Sequence, residues 1–148
     1  MSYEVDGWGV GEMWLDGERL LLHELPRPGT SGDGAGHPLA ARVAGYFGGG
    51  RDDFLDVGLD LDGATAFERA LTDALRHVPA GETVTYGELA ALAGRPNAQR
   101  AAGTFCARNR FAIVVPCHRV VAADGIGSYG SLGVEYKRRL LELEGVSV

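Results

Sequence analysis

A cysteine, a histidine and an arginine stand side by side as Cys117, His118 and Arg119, inside the otherwise apolar segment 114–121. Burying such groups is costly unless they are paired, so a core segment that carries all three is a candidate for chemistry. A neighbouring histidine or arginine lowers a thiol pKa and favours the nucleophilic thiolate, so we expect Cys117 to be an activated nucleophile. An inert buried cysteine is the alternative interpretation.

The backbone around Cys117 limits how it can meet His118. Pro116 fixes φ just before the cysteine. Adjacent side chains of an extended segment point to opposite faces, so we expect Cys117 and His118 to interact through a water or a turn.

Two short helices with a turn between them are predicted upstream. Thr85 can cap a helix over residues 85–92, with Glu88 completing a capping box. Gly94 supplies the turn, and Pro96 is expected in the first turn of the next helix. This is the spacing of a helix-turn-helix motif.

The second of these helices carries one face of small residues around Arg100. Small side chains serve close helix packing and close approach to DNA equally well, so both interpretations stay open. Arg100 itself favours a face that meets a nucleic-acid groove. The small residues are Ala98, Ala101, Ala102 and Gly103.

Together these motifs resemble the O6-alkylguanine-DNA alkyltransferase family, whose members repair DNA by moving an alkyl group onto their own cysteine. Asn109 stands eight residues before Cys117, as the family's hinge asparagine does. The similarity runs from about residue 61 to 145 and is weak over the first sixty. The matching segments are 81–90, 94–103, 114–121 and 140–145.

The resemblance implies a catalytic role for each matching residue. Cys117 would be the alkyl acceptor, and His118 would take its proton through a bound water. Glu144 would fix the tautomer of His118, by the logic of a Ser-His-Asp arrangement. Asn109 would brace the turn that carries the cysteine, and Tyr86 would donate a hydrogen bond towards the departing base.

An alkyl group on O6 of guanine is hidden in the duplex, so the base must be flipped out, here from the minor-groove side. Arg100 resembles the family's arginine finger, which fills the vacated space. Expected DNA contacts are Arg100, Tyr86, Ala98, Ala101, Gly103, Arg95 and Arg108. Expected pocket residues are Val115, Pro116, Tyr129 and Ser131.

The implied reaction is the irreversible transfer of an alkyl (methyl) group from O6 of guanine, and from O4 of thymine, to Cys117, once per molecule. No cofactor is expected. No metal is expected either, because the four histidines show no ligand spacing with either cysteine. The expected partner of a monomeric protein is double-stranded DNA that contains O6-alkylguanine.

No membrane partner is expected, because the sequence has no long apolar run and no signal-like N-terminus. Two cysteines make no disulfide framework, which favours a reducing, cytoplasmic setting.

Several positions depart from the family pattern, and three of them lie near the proposed site. Arg110 follows Asn109 where a proline is common, which predicts a looser and more basic loop. Tyr129 stands one residue nearer to Cys117 than in most relatives, which puts the width of the substrate pocket in question. Cys106 is additional, and we expect it to pack between helices.

Three other functions compete with this interpretation. An alkyltransferase-like damage sensor would lack the acceptor cysteine, which is present here. A cysteine hydrolase would need a histidine distant in sequence and an oxyanion hole. A helix-turn-helix transcription factor would need base-reading polar side chains on its second helix.

The net charge of −6 opposes DNA binding at first sight. Residues 1–94 carry 16 acidic and 6 basic side chains, whereas residues 95–148 carry 4 acidic and 8 basic ones. Residues 95–119 contain five arginines and no acid. This local basic character is what a phosphate backbone would meet.

The expected fold class is α/β. A small ribonuclease-H-like α/β domain (residues 1–62) would precede a mostly helical, winged-helix-like domain (residues 63–148) that binds DNA and accepts the alkyl group. The periodicity predicts a hairpin about Asp16-Gly17, a loop over 26–36, a helix over 38–47, a strand over 54–61 and a helix capped by Thr65.

Overall fold

The computed structural model describes residues 1–29 and 36–148. These residues form two compact units. The first unit contains Met1–Asp60 and Arg110–Val114, and the second contains Leu61–Asn109 and Val115–Val148. We call residues 110–114 the strap, because this short segment joins the first unit although both of its chain neighbours belong to the second.

A four-stranded sheet forms the first unit, in the order β1-β2-β3-β4. The predicted hairpin is confirmed, since Asp16 pairs with Arg19 across a turn in which Gly17 adopts a φ of 62°. The first three strands are antiparallel, and β4 is parallel to β3. The strands are β1 (Ser2–Val5), β2 (Gly9–Asp16), β3 (Arg19–Arg27) and β4 (Gly58–Leu59).

One helix, α1 (Pro38–Phe47), accompanies this sheet and has the predicted bounds. His37 caps this helix by accepting a hydrogen bond from the backbone N–H of Leu39. Pro38 is the first helical residue, a position where a backbone N–H would have no partner within the helix and where its absence costs nothing. The loop predicted over 26–36 begins later than expected, because β3 continues to Arg27. Residues 30–35 of the predicted loop lie outside the described residues.

The predicted strand over 54–61 is wrong, since only Gly58–Leu59 is extended and paired. Asp52 and Asp53 accept hydrogen bonds from the backbone N–H groups two residues ahead, which folds the chain into local turns. Phe54 adopts a φ of 54° within them. Most of the alternating apolar residues therefore belong to turns, in which Phe54 and Val57 are buried, and not to a continuous strand.

The second unit is mostly helical and carries a two-stranded parallel sheet, β5–β6. Both predicted capping boxes are present, Thr65 with Glu68 and Thr85 with Glu88. Its elements are α2 (Ala66–Arg76), β5 (Val84–Thr85), α3 (Tyr86–Leu92), α4 (Gln99–Ala107), β6 (Val120–Val121) and α5 (Val134–Leu143).

The connection between α3 and α4 differs from the prediction at Pro96. This proline precedes α4 instead of lying in its first turn, because the helix begins only at Gln99. Asn97 adopts a φ of 74°, and Ala98 donates to the carbonyl of Arg95 to close the turn. The linker between the two helices is thus longer than predicted.

The chain is therefore a mixed α/β protein, as expected. Among the residues that the structure describes, no helix has both the length and the apolar character needed to cross a lipid bilayer.

Candidate active site

Cys117, His118 and Arg119 form a single 3-10 turn (Cys117–Arg119) that leads directly into β6. The turn closes when Arg119 donates its backbone N–H to the carbonyl of Pro116 at 2.9 Å. All three residues are buried. The three residues thus lie in a turn and not in an extended segment, and the turn directs successive side chains into different surroundings.

Glu144 binds the side chains of both residues that follow the cysteine. His118 donates from Nε2 to Glu144 Oε2 at 2.7 Å. Arg119 donates from Nε and Nη2 to the two carboxylate oxygens, each at 2.9 Å. The remaining Nη1 of Arg119 donates to the carbonyl of Val78 at 2.6 Å. A bidentate guanidinium and an imidazole therefore share one buried carboxylate.

The end of α5 fixes the position of that carboxylate. Glu144 follows the last helical residue, and Gly145 adopts a φ of 89°, which only glycine takes without strain. Gly145 donates to the carbonyl of Glu142 at 2.9 Å, and Val146 donates to that of Leu141 at 2.9 Å. This helix-ending motif explains why the glutamate beside the glycine, rather than exposed Glu142, enters the site.

The charges of this cluster follow from burial and pairing. Burial alone raises the pKa of Glu144, but the hydrogen bonds from His118 and Arg119 outweigh it and hold the pKa well below its usual range. Burial lowers the pKa of His118 despite the opposing effect of Glu144. The resting site thus contains an ionised Glu144, a charged Arg119 and a neutral imidazole.

The tautomer of His118 follows from the same contacts. Because Nε2 carries the proton that is donated to Glu144, the basic lone pair of the neutral ring is on Nδ1. That nitrogen is the one that can accept a proton.

The expectation of a lowered thiol pKa at Cys117 is wrong for the resting protein. Cys117 is only 7% exposed, and its burial raises the pKa. Hydrogen bonds from Asn109 and Tyr129 and the charge of Lys137 oppose this effect without overcoming it. Arg119 cannot help because its charge is paired with Glu144. The resting nucleophile is a protonated thiol.

Asn109 connects the cysteine to the strap. Its Nδ2 donates to the carbonyl of Val115 at 2.8 Å, and its side chain also hydrogen-bonds the thiol of Cys117. The backbone N–H of Cys117 donates to the same Val115 carbonyl at 2.8 Å. The asparagine is therefore in a position to brace the cysteine-bearing turn.

Tyr86 begins α3 and is half-buried, with a pKa that burial raises. It hydrogen-bonds Ser128. Gly127 adopts a φ of 80°, and a Cβ added there would lie 3.0 Å from the hydroxyl of Tyr86. The segment about Gly127 and Ser128 therefore packs closely against this phenol.

Lys137, which the sequence analysis missed, is completely buried in the same cluster. Its Nζ donates to the carbonyls of Val120 at 2.6 Å and Ser128 at 3.1 Å and lies 5.7 Å from the ring centre of Tyr86. Burial lowers its pKa. The signal that could have found it is spacing, because Lys137 precedes buried Leu140 and Leu141 by three and four residues.

The candidate pocket residues have different surroundings. Val115 and Pro116 are buried, whereas Ser131 is exposed. Tyr129 is half-buried, lies near enough to Cys117 to help lower the pKa of its thiol, and stacks on Tyr136 with ring centres 6.3 Å apart. Tyr129 is thus brought to the nucleophile despite its shift along the chain.

The small residues of α4 have two kinds of surroundings. Ala102 is buried, and Gly103 faces the ring of Tyr86, where an added Cβ would lie 3.9 Å from Cδ1. Arg100 and Ala101 are exposed, and Ala98 is half-buried. Helix packing and an exposed surface therefore both account for the composition of this helix.

The other arginines proposed to meet DNA are also exposed. Arg95 lies over the ring of Phe67, with its guanidinium carbon 4.5 Å from the ring centre. Arg108 lies just after α4, and its charge helps lower the pKa of Glu68.

Cys106 lies on α4, and burial raises its pKa. This agrees with an unreactive packing thiol. Among the described residues, three acidic side chains lie close enough together to share a cation, namely Asp52, Asp53 and Asp56. Arg42 already neutralises two of them, bonding Asp52 and Asp56 at 2.8 Å each.

A buried thiol next to a carboxylate-bound imidazole, carried with a helix-turn-helix pair, defines a protein built for covalent chemistry near nucleic acid. A sequence model of the 6-O-methylguanine DNA methyltransferase DNA-binding domain matches residues 66–146. The chain belongs to the 6-O-methylguanine DNA methyltransferase family.

Similar proteins extend the likeness over most of the chain. The methylated-DNA–protein-cysteine methyltransferase of Methanopyrus kandleri is 43% identical over 129 residues, which are 85% of this chain and 95% of that protein. The crystal structure of Mycobacterium tuberculosis OGT in complex with DNA has a TM-score of 0.79 at 35% identity, covering 97% of this chain and 90% of that one.

A third relative is much longer. The bifunctional transcriptional activator/DNA repair enzyme Ada of Escherichia coli is 48% identical over 94 residues, which are 64% of this chain and 26% of Ada. The match thus spans about a quarter of that protein.

Proposed function

We propose that this chain repairs alkylated DNA by direct reversal, moving a methyl or other alkyl group from O6 of guanine, and from O4 of thymine, onto Cys117. The observation that carries the proposal is the Glu144–His118 pair, joined at 2.7 Å, whose histidine directly follows Cys117 in the same buried turn. It supplies a neutral base next to the one residue that must lose a proton.

The reaction begins with the protonated thiol. His118 takes the proton of Cys117 on Nδ1, through a water, and Glu144 stabilises the imidazolium that forms. The sulfur attacks the alkyl carbon, so an S–C bond forms while the C–O6 bond breaks. The bonding electron pair passes to the guanine, which takes up a proton, so that the net proton moves from thiol to base.

Tyr86 acts on the departing base. A phenol with a raised pKa remains a hydrogen-bond donor at neutral pH, and donation towards the guanine stabilises the negative charge that develops there. Tyr129 and Val115 line the pocket beside the sulfur. The product is a thioether without a good leaving group, so each molecule acts once.

The substrate is double-stranded DNA with a flipped O6-alkylguanine. Arg100 enters from the minor groove and fills the space that the base leaves, because a flat guanidinium can stack between neighbouring bases. Ala98, Ala101 and Gly103 let the backbone approach the groove, and Arg95 and Arg108 bind phosphates.

A damage sensor without transfer activity is the other candidate function. It would retain the base-binding surface but have no need for a buried cysteine that a carboxylate-bound histidine directly follows. The presence of Cys117 within that network favours repair over sensing.

The proposal also includes the organisation of the chain. Residues 1–62 would form a ribonuclease-H-like structural domain, and residues 63–148 a winged-helix-like domain that binds DNA and accepts the alkyl group. The protein would work as a monomer in the reducing cytoplasm, where Cys117 stays a free thiol.

The test measures restored guanine in a duplex with a single O6-methylguanine, at increasing amounts of protein. We expect one guanine per protein molecule with no further turnover, and none with Cys117→Ser. Binding of the lesion without any restored guanine would support the sensor and contradict repair.

A further inference from the structure

The strap (residues 110–114) has its two ends fastened together at the active site. Asn109, just before it, donates to the carbonyl of Val115, just after it. Cys117 donates its backbone N–H to that same carbonyl. A shift of either end of the strap would therefore be transmitted to the cysteine-bearing turn through one shared acceptor.

The strap contains a strained residue. Ile113 adopts a φ of 73°, in the left-handed region that a β-branched side chain strongly disfavours. Strain of this kind persists only where surrounding contacts enforce it, and it is common next to functional sites. The contacts that hold the strap are therefore expected to matter for the geometry that follows it.

Arg110 supplies such contacts at the start of the strap. Its Nη1 donates to the carbonyl of Leu21 at 3.0 Å, and its Nη2 donates to that of Asp60 at 2.9 Å. Nη1 also lies 3.7 Å from the Asp60 carboxylate, and the guanidinium lies over the ring of Phe111 at 4.9 Å. One side chain thus reaches two separate parts of the first unit.

His23 holds the middle of the strap from β3. Its backbone N–H donates to the carbonyl of Arg110 at 2.8 Å. Its ring donates from Nδ1 to the carbonyl of Ala112 at 2.6 Å, so that Nε2 accepts from the hydroxyl of Tyr3. This buried anchor fixes the strap backbone, whereas the half-exposed Arg110 fixes its entry.

We propose that Arg110 is a positioning residue for alkyl transfer. It keeps the strained strap in the form that aligns Asn109, the Val115 carbonyl and Cys117. Arg110 touches no reacting atom and acts only through these neighbours. The inference rests on the proposed repair function, and it reverses the expectation that an arginine after Asn109 loosens the loop.

The first test compares variants in single-turnover repair of an O6-methylguanine duplex at saturating DNA. Arg110→Ala should lower the maximal rate constant about three- to tenfold, because small misalignments of a reacting group are costly, while leaving the half-saturating DNA concentration unchanged. Arg110→Lys should recover part of the rate, since an ammonium reaches one carbonyl but cannot bridge two.

Arg19→Ala is the matched control. Arg19 also lies near the Asp60 carboxylate, at 3.9 Å, but its other ion pair is with Asp16 in the β2–β3 hairpin. It should repair at the rate of the unaltered protein. An equal loss in Arg19→Ala and Arg110→Ala would show a general effect of disturbing Asp60 and overturn the proposal.

A second measurement, hydrogen exchange of the folded protein without DNA, separates the strap from the chemistry. The backbone N–H groups of residues 111–115 and of Cys117 should exchange faster in Arg110→Ala than in Arg19→Ala, with equal exchange elsewhere. Unchanged exchange there, or an unchanged rate constant, would overturn the positioning role. If the unaltered protein restored no guanine, the proposed function would fail, and exchange alone would decide whether Arg110 holds the strap.

Discussion

Glu144 accepts hydrogen bonds from the cationic Arg119 and the neutral His118 although it ends a helix, where the helix dipole disfavours a negative charge. Arg119 offsets that cost by bonding both carboxylate oxygens, which keeps Glu144 ionised. An ionised Glu144 can then orient His118 and stabilise its protonated form during the reaction. Removing one member of a buried charge pair is far more costly than the pair is stabilising, because the other charge is left unpaired.

Glu144→Gln should therefore lower both activity and stability. We expect alkyl transfer to slow by roughly a hundredfold, as for the loss of an effective general base, and the free energy of unfolding to fall by about 3 kcal/mol. Single-turnover repair and urea unfolding measure the two effects. Glu142→Gln, on an exposed residue of α5, is the control and should change stability by less than about 0.5 kcal/mol. A folded Glu144→Gln protein with undiminished repair would contradict the role of Glu144.

The predictable elements are those whose signals are local. The capping boxes at Thr65 and Thr85 are read from two residues three positions apart, and both are present. The predicted strand over 54–61 was wrong because Asp52 and Asp53 accept hydrogen bonds from nearby backbone N–H groups, which favours turns over extension and which hydrophobic alternation does not reveal.

The sequence did not reveal how completely the tertiary structure buries the residues of the site. Cys117, His118 and Glu144 were identified from a family resemblance, and the structure brings their segments together. The raised pKa of the resting thiol depends on how completely the fold encloses it, so residue types alone gave the wrong direction. Lys137 was missed because lysine is ordinarily exposed.

Helix α4 leaves Arg100 exposed to solvent, which the proposed insertion of this side chain into DNA requires. Arg100→Ala should slow repair of duplex O6-methylguanine at least tenfold, because the gap left by the flipped base is no longer filled. Reaction with free O6-benzylguanine, which needs no flipping, should change little. Arg51→Ala removes an equal charge from an exposed residue of the first unit and should affect neither rate. Equal losses on duplex and free base would argue against the finger role.

Across the whole chain, acidic residues concentrate before residue 95 and basic ones after it. Two buried histidines, His23 and His118, are held neutral, one in each unit. As the pH falls, both histidines reduce the stability of the folded state, because each takes up a proton more readily in the unfolded chain.

Folding stability should therefore decrease on acidification. Burial lowers the pKa of His23 from 6.5 to about 4. As the pH falls from 6.5 towards 4, the unfolded state gains a proton at His23 that the folded state does not, which costs up to about 3 kcal/mol of stability. Urea unfolding between pH 7 and pH 5 should show a loss that His23→Gln reduces. Exposed His77→Gln is the control, and an identical acid loss in all three proteins would contradict this prediction.

Peptide mass spectrometry identifies the residue that accepts the alkyl group. The protein is incubated with an O6-methylguanine duplex and then digested. We expect one added methyl group, on the peptide that contains Cys117, with Cys106 unmodified. Restored guanine together with an unmodified Cys117 peptide, or a methyl group on any other residue, would contradict it.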